Sequence, residues 1–126
     1  MAITRISFQS VPVTDQDRAL AFYRDVMGFE VQVDAPYEPD WRWIFLRIPG
    51  SGDRIQFAKA TEIEVKGRPV LALVSDDVDA EAVRLTSLGA RVTNEPQDAP
   101  WQPGVRWMML RDSEGNGIFV ESLAHG

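Results

Sequence analysis

The chain repeats itself, and that restricts its fold more than any other feature of the sequence. Adding 61 to the positions of Asp15, Ala21, Gly28 and Val31 reaches Asp76, Ala82, Gly89 and Val92 without a gap. At an offset of 64, Arg42-Trp43-Ile44-Phe45-Leu46-Arg47 overlays Arg106-Trp107-Met108-Met109-Leu110-Arg111. Self-similarity of this kind means that one supersecondary unit is built twice. Any fold proposed for one half must therefore also suit the other.

The first copy reads as strand, helix and three strands. Ile3 to Val13 is rich in β-branched and aromatic residues and carries Pro12, which predicts a strand ending in a turn. Asp15-Gln16-Asp17 supplies the acids that a helix N-terminus favours. Ala19, Leu20, Phe22, Tyr23, Val26 and Met27 follow at helical spacing, and Gly28 stands where a glycine releases the chain. Phe29 to Val33 predicts a second strand, followed by a loop through Pro36, Tyr37 and Pro39. Trp41 to Ile48 and Arg54 to Ala58 predict two more, joined by the hairpin chemistry of Pro49-Gly50-Ser51-Gly52-Asp53.

The second copy ends on Ile118-Phe119-Val120 as the first ends on Ile55-Gln56-Phe57. The expected fold class is α+β, with two tandem βαβββ modules spanning about 3–60 and 67–123 in one domain of 126 residues, linked around Thr61 to Pro69. A helix covers one face of such a sheet, and two bent sheets with bare inner faces enclose a partly open, barrel-like cavity. Side chains alternate between faces along a strand, so site residues are assigned by parity.

Composition removes whole classes of chemistry. There is no cysteine, which excludes disulfide frameworks, cysteine-ligated metals and cysteine nucleophiles. The one histidine, His125, stands next to the C-terminus, so a Ser-His-Asp triad or a multi-histidine metal site is not expected. Thirteen Lys and Arg against nineteen Asp and Glu give a net charge of −6, which opposes nucleic-acid binding and suits neutral or cationic small ligands. Met1-Ala2-Ile3-Thr4-Arg5 runs straight into a strand-like pattern, and the apolar runs are short. Neither a secretory signal nor a membrane span is expected, and the expected location is cytoplasmic.

Taken in order, Val11-Pro12-Val13-Thr14-Asp15, Ala21-Phe22-Tyr23, Met27-Gly28-Phe29, Asp76-Asp77-Val78-Asp79-Ala80, Leu88-Gly89, Pro100-Trp101 and Arg111-Asp112-Ser113-Glu114-Gly115-Asn116 span nearly the whole chain. With these motifs the sequence resembles the vicinal oxygen chelate superfamily of glyoxalase I, extradiol dioxygenases and bleomycin-resistance proteins. The resemblance implies the cavity fold, pairing as a homodimer and, in metal-dependent members, a divalent ion held by His and Glu on four inner strands. Seven residues before Asp15 stands Phe8, the centre of Ile55-Gln56-Phe57 is Gln56, seven before Asp77 stands Val70, and seven after Asp112 stands Phe119. One carboxamide oxygen cannot replace several anionic or imidazole donors, so no metal and no other cofactor is expected. Sliding the register by one residue also yields no chelating set.

Glu121 lies two residues beyond Phe119 and should share its face, making Glu121 and Gln56 the polar pair of the cavity. A carboxylate there is either a general base with a raised pKa or a solvated strand-end acid. Trp41, Trp43, Trp101 and Trp107 serve either core and rim packing or ligand contact. An aromatic wall in an acidic protein suits a flat cation through stacking and cation–π attraction, as in bleomycin-resistance proteins, which the resemblance makes the nearest model. Asp112-Ser113-Glu114-Gly115-Asn116-Gly117 has the oxygen spacing of a calcium loop but Leu123 at its twelfth position, and reads as a hairpin turn. The expected function is metal-independent binding of an aromatic or cationic small molecule, with walls from Phe8, Trp43, Val70, Trp107 and Phe119 and orientation by Gln56 and Glu121. The alternative is a lyase or isomerase of the glyoxalase type using Glu121 and Gln56, and a third reading is a structural or regulatory dimer whose own side chains fill the cavity.

Overall fold

The computed structural model describes residues 2–63 and 68–123. Residues 64–67 of the expected connection and His125 lie outside that range. The chain forms two compact units, Met1–Glu62 and Ile63–Gly126, each holding one βαβββ module.

In the first unit, β1 (Gln9–Val13) leads into α1 (Gln16–Ala21), a π-helical turn (Phe22–Val26), and then β2 (Glu30–Glu38), β3 (Trp41–Arg47) and β4 (Arg54–Lys59). The sheet order is β1-β4-β3-β2, with β1 parallel to β4 and the other pairs antiparallel. Val11, Val13, Ile44, Leu46, Ile55 and Phe57 are buried on one face. The helical segment covers them: Tyr23, also buried, brings its ring to 5.8 Å from Phe57 and 5.9 Å from Phe29. The Asp15 carboxylate caps α1 by accepting from the Arg18 N–H at 3.1 Å.

The second unit repeats the plan with β5 (Pro69–Val74), α2 (Val78–Ser87), β6 (Arg91–Asp98), β7 (Arg106–Arg111) and β8 (Gly117–Glu121) in the order β5-β8-β7-β6. Its core holds Leu71, Met108, Leu110, Ile118 and Val120 with Val78, Ala82 and Leu85 of α2. Asp77 caps α2, accepting from the Ala80 N–H at 3.0 Å. Neither sheet closes on itself, since β1 and β2 are free edges of one and β5 and β6 of the other.

The two caps revise the gapless repeat. Asp15 corresponds to Asp77, an offset of 62, whereas the left-handed glycines that end the helical segments, Gly28 at φ +81° and Gly89 at φ +90°, differ by 61. The first copy therefore holds one residue more between cap and glycine. The π-helical turn absorbs it, with the Met27 N–H bonded to the Phe22 carbonyl at 3.0 Å, five residues back.

Two further expectations are corrected. The first strand begins at Gln9 rather than Ile3, because its partner β4 begins at Arg54 and the ladder opens at Gln9↔Ile55. Ile3 and Ile6 are left 97% and 80% exposed. The loop expected through Pro36 and Tyr37 is instead the end of β2. That strand is a sheet edge, where a residue lacking an N–H is tolerated, and its register shifts between Pro36 and Glu38.

Candidate functional site

Each sheet has a face turned away from its helix, and the strand registers assign residues to it. In the first unit Gln56 is opposite Ser10 on β1 and Phe45 on β3, so Gln56, Phe45 and Trp43 share that face. Phe8, just before β1, joins them by setting its ring edge-on to Phe45 at 5.0 Å. The row continues through Trp43, 5.4 Å from Phe45, to Tyr37, 5.0 Å from Trp43. Phe8, Trp43 and Gln56 are thus brought together.

Arg54 places a charged group beside these rings. Its guanidinium lies 4.7 Å from the Phe45 ring centroid and 5.9 Å from that of Phe8. It donates to the Ser7 carbonyl and hydroxyl, both at 3.2 Å, and to the Gln32 side-chain oxygen at 2.9 Å. The Gln56 oxygen accepts from the Ser10 hydroxyl at 3.1 Å.

In the second unit Phe119 is opposite Ala72 and Met109, and Glu121 is opposite Val74 and Trp107. Val70 falls on the same side as Ala72 by alternation, across a register shift between Pro69 and Leu71. The rings of Trp107 and Phe119 stack at 5.8 Å, and Trp101, from the segment between β6 and β7, lies 5.8 Å from Trp107 and 6.2 Å from Phe119. The Trp107 Nε1 is buried and has no hydrogen-bond partner. Trp107, Phe119 and Glu121 form one cluster, flanked by Val70.

Several members of these faces escape a reading from sequence. Phe45 and Arg54 were available by parity, two residues from Trp43 and Gln56 respectively. Tyr37 was hidden by prolines that suggest a loop, and Trp101 has no strand register to place it.

The donor chemistry does not fit a divalent cation. Phe8, Val70 and Phe119 offer no ligand atom, and Gln56 is engaged with Ser10. Among the described residues no group of three or more His, Asp or Glu side chains is arranged to hold a metal. The calcium-like segment is a tight turn: the buried Asp112 accepts from the Glu114 and Asn116 N–H groups, each at 2.8 Å, and from the Asn116 amide at 2.9 Å.

A polar cleft of about 390 Å³ is lined by residues including Asp15, Gln16, Asp40, Trp41, Arg42 and Lys59 of the first unit. Its charges already satisfy one another. Arg42 bonds Asp17 at 2.9 Å and Asp34 at 3.0 Å, while Lys59 bonds Asp40 at 3.0 Å and holds the Asp40 carboxyl below the usual carboxylate range. The Gln16 amide pairs with both backbone groups of Arg42, at 2.8 and 2.9 Å. The aromatic faces, where Phe8, Tyr37, Trp43 and Trp101 remain partly exposed, are the better candidate site.

Comparison with known proteins agrees with this architecture. The model of the Glyoxalase/Bleomycin resistance protein/Dioxygenase superfamily matches residues 3–120. TnmS3, an antibiotic binding protein from Streptomyces sp. CB03234, is similar at 30% identity and a TM-score of 0.81, over 98% of this chain and 99% of its own. A glyoxalase/bleomycin resistance protein from the same Streptomyces strain is 33% identical with a TM-score of 0.73, over 90% of this chain and 96% of its own. The uncharacterized protein YetH of Bacillus subtilis (strain 168) is 22% identical over 94% of this chain and 98% of its own.

Proposed function

Because the chain belongs to the Glyoxalase/Bleomycin resistance protein/Dioxygenase superfamily, we propose that it works as a binding protein that sequesters an aromatic or cationic small molecule without a metal. The observation that carries this reading is the pair of aromatic faces turned away from the helices, where the positions that the family resemblance makes metal-ligand positions hold Phe8, Gln56, Val70 and Phe119. Stacking and apolar burial supply the affinity, at roughly 25 cal/mol per Å² of apolar surface removed from water. Gln56, Arg54 and Glu121 supply direction. The description of TnmS3 as an antibiotic binding protein supports the same class of activity here.

The proposal extends to a homodimer in the cytoplasm. Exposed Ile3 and Ile6 give a second copy apolar surface to cover. Native mass spectrometry of freshly purified protein tests the functional reading. A retained organic molecule without stoichiometric metal is the expected result. Stoichiometric nickel, zinc, manganese or iron that restores turnover of a substrate would establish instead a lyase or isomerase of the glyoxalase type, with Glu121 and Gln56 as the first residues to mutate.

A further inference from the structure

We propose that Trp107 selects the ligand: its indole N–H donates to a carbonyl-type oxygen on a flat molecule stacked against the Trp107–Phe119 pair. This rests on the ligand-binding reading above and narrows it to planar ligands with an acceptor oxygen. The starting observation is the buried Trp107 Nε1, which has no partner. A buried indole N–H usually finds an acceptor, and leaving one without is costly. A phenylalanine would fill the same place in the stack without that cost. The donor is therefore explained if it is satisfied when a ligand is bound.

The polar groups nearest in register leave the donor free. Glu121 is opposite Trp107 on β8 and Gln97 is opposite it on β6. The Gln97 amide donates to the Glu95 carbonyl at 3.1 Å, and the Glu121 carboxylate does not accept from Nε1. Met109 and Phe119 beside it are apolar.

A route to the donor is also present. Trp107 and Phe119 are borne on strands, whereas Trp101 is borne on the segment between β6 and β7 and is 55% exposed. That segment is closed at its base by the Ala99 N–H to the Val105 carbonyl at 2.8 Å and turns at Gly104, φ +83°. In the proposed complex the planar group displaces the Trp101 ring, while Trp107 and Phe119 stay in place on their strands. Glu121, across the ladder from Trp107, then faces the edge of that group and favours an ammonium or hydroxyl donor there.

The test uses the full chain and two matched probes, an aminomethyl fluorenone and its fluorene counterpart, which differ only in the ring ketone. Titration by calorimetry is expected to give the ketone an affinity about tenfold higher in the wild type, the worth of one good hydrogen bond. In Trp107→Phe the preference is expected to fall to about unity, whatever common loss of affinity for both probes the smaller ring brings. Wild-type protein also provides an independent reading by NMR, with the Trp107 indole resonance identified by its loss in the variant. It should move downfield with the ketone and not with the fluorene. An unchanged preference in the variant, or the same movement with both probes, overturns the donor role and leaves the binding reading intact. Failure of the wild type to bind either probe overturns both.

Discussion

At the scale of single residues, the two best-defined polar features of the second unit do opposite things. Asp112 is buried and saturated, gathering three hydrogen bonds from its own turn, whereas the Trp107 indole is buried and unsatisfied. Asp112→Ala strands the Glu114 and Asn116 N–H groups and is expected to cost about 2–3 kcal/mol, measured by urea unfolding with an unchanged slope. A loss below about 0.5 kcal/mol would show that the turn holds itself without the carboxylate. Glu121→Gln removes a charge on an open face where little packing depends on it. Affinity for a cationic aromatic probe should fall several-fold while the midpoint of thermal unfolding stays within a few degrees. Equal affinity in the variant would remove Glu121 from the site. Parity along the strands makes the grouping of Phe8 with Gln56, and of Phe119 with Glu121, legible from sequence. What parity cannot supply is a position off the ladder, which is why the sequence offers Trp101 as a candidate contact without a face and only its ring contacts assign one.

At the scale of elements, each helix is fastened to its sheet by the same triad. Arg42 bridges Asp17 of α1 and Asp34 of β2, and Arg106 bridges Asp79 of α2, at 2.6 Å, and Asp98 of β6, at 3.2 Å. The arginines are the first residues of the two matched hexapeptides, so the repeat announces the pair, while their partners become visible only through the cap offset of 62 and the strand pairing. All the groups are substantially exposed, which limits their worth. Arg106→Met is expected to lower the midpoint of thermal unfolding only slightly and to lose most of that effect in molar salt. The hydrogen bonds from Arg106 hold the Asp79 carboxyl below the usual carboxylate range. A lowered native pKa means that the stabilisation is present above the ordinary carboxylate pKa of about 3.9 and disappears as pH falls through the lower native value. The difference between wild type and variant should therefore be constant near neutrality and shrink as pH falls below the ordinary carboxylate range. A difference that grew on acidification would contradict the assignment. The π-helical turn shows where a repeat-based reading reaches its limit: an ungapped overlay of the two copies conceals an inserted residue that a helix can absorb without changing its end.

At the scale of the whole molecule, the sequence already contains the two βαβββ units because repeat, element order and turn chemistry all agree. The extent of the edge strands was not legible, since it depends on where the partner strand stops, as at Gln9, and on an edge tolerating Pro36. Among the described residues no helix is long and apolar enough to cross a membrane. If a second copy covers Ile3 and Ile6, sedimentation should give twice the chain mass, and Ile3→Lys with Ile6→Lys should shift the protein toward the monomer. A wild type that sediments as a monomer at working concentration would contradict pairing. The measurement that bears most directly on the central claim is a calorimetric titration of chelator-stripped full-length protein with a planar cationic aromatic, the aminomethyl fluorenone, with and without added divalent metal. Saturable binding that is the same in both conditions, and at least tenfold weaker when Trp43 and Trp107 are both replaced by alanine, is the predicted result. Binding that appears only after metal is added would contradict it.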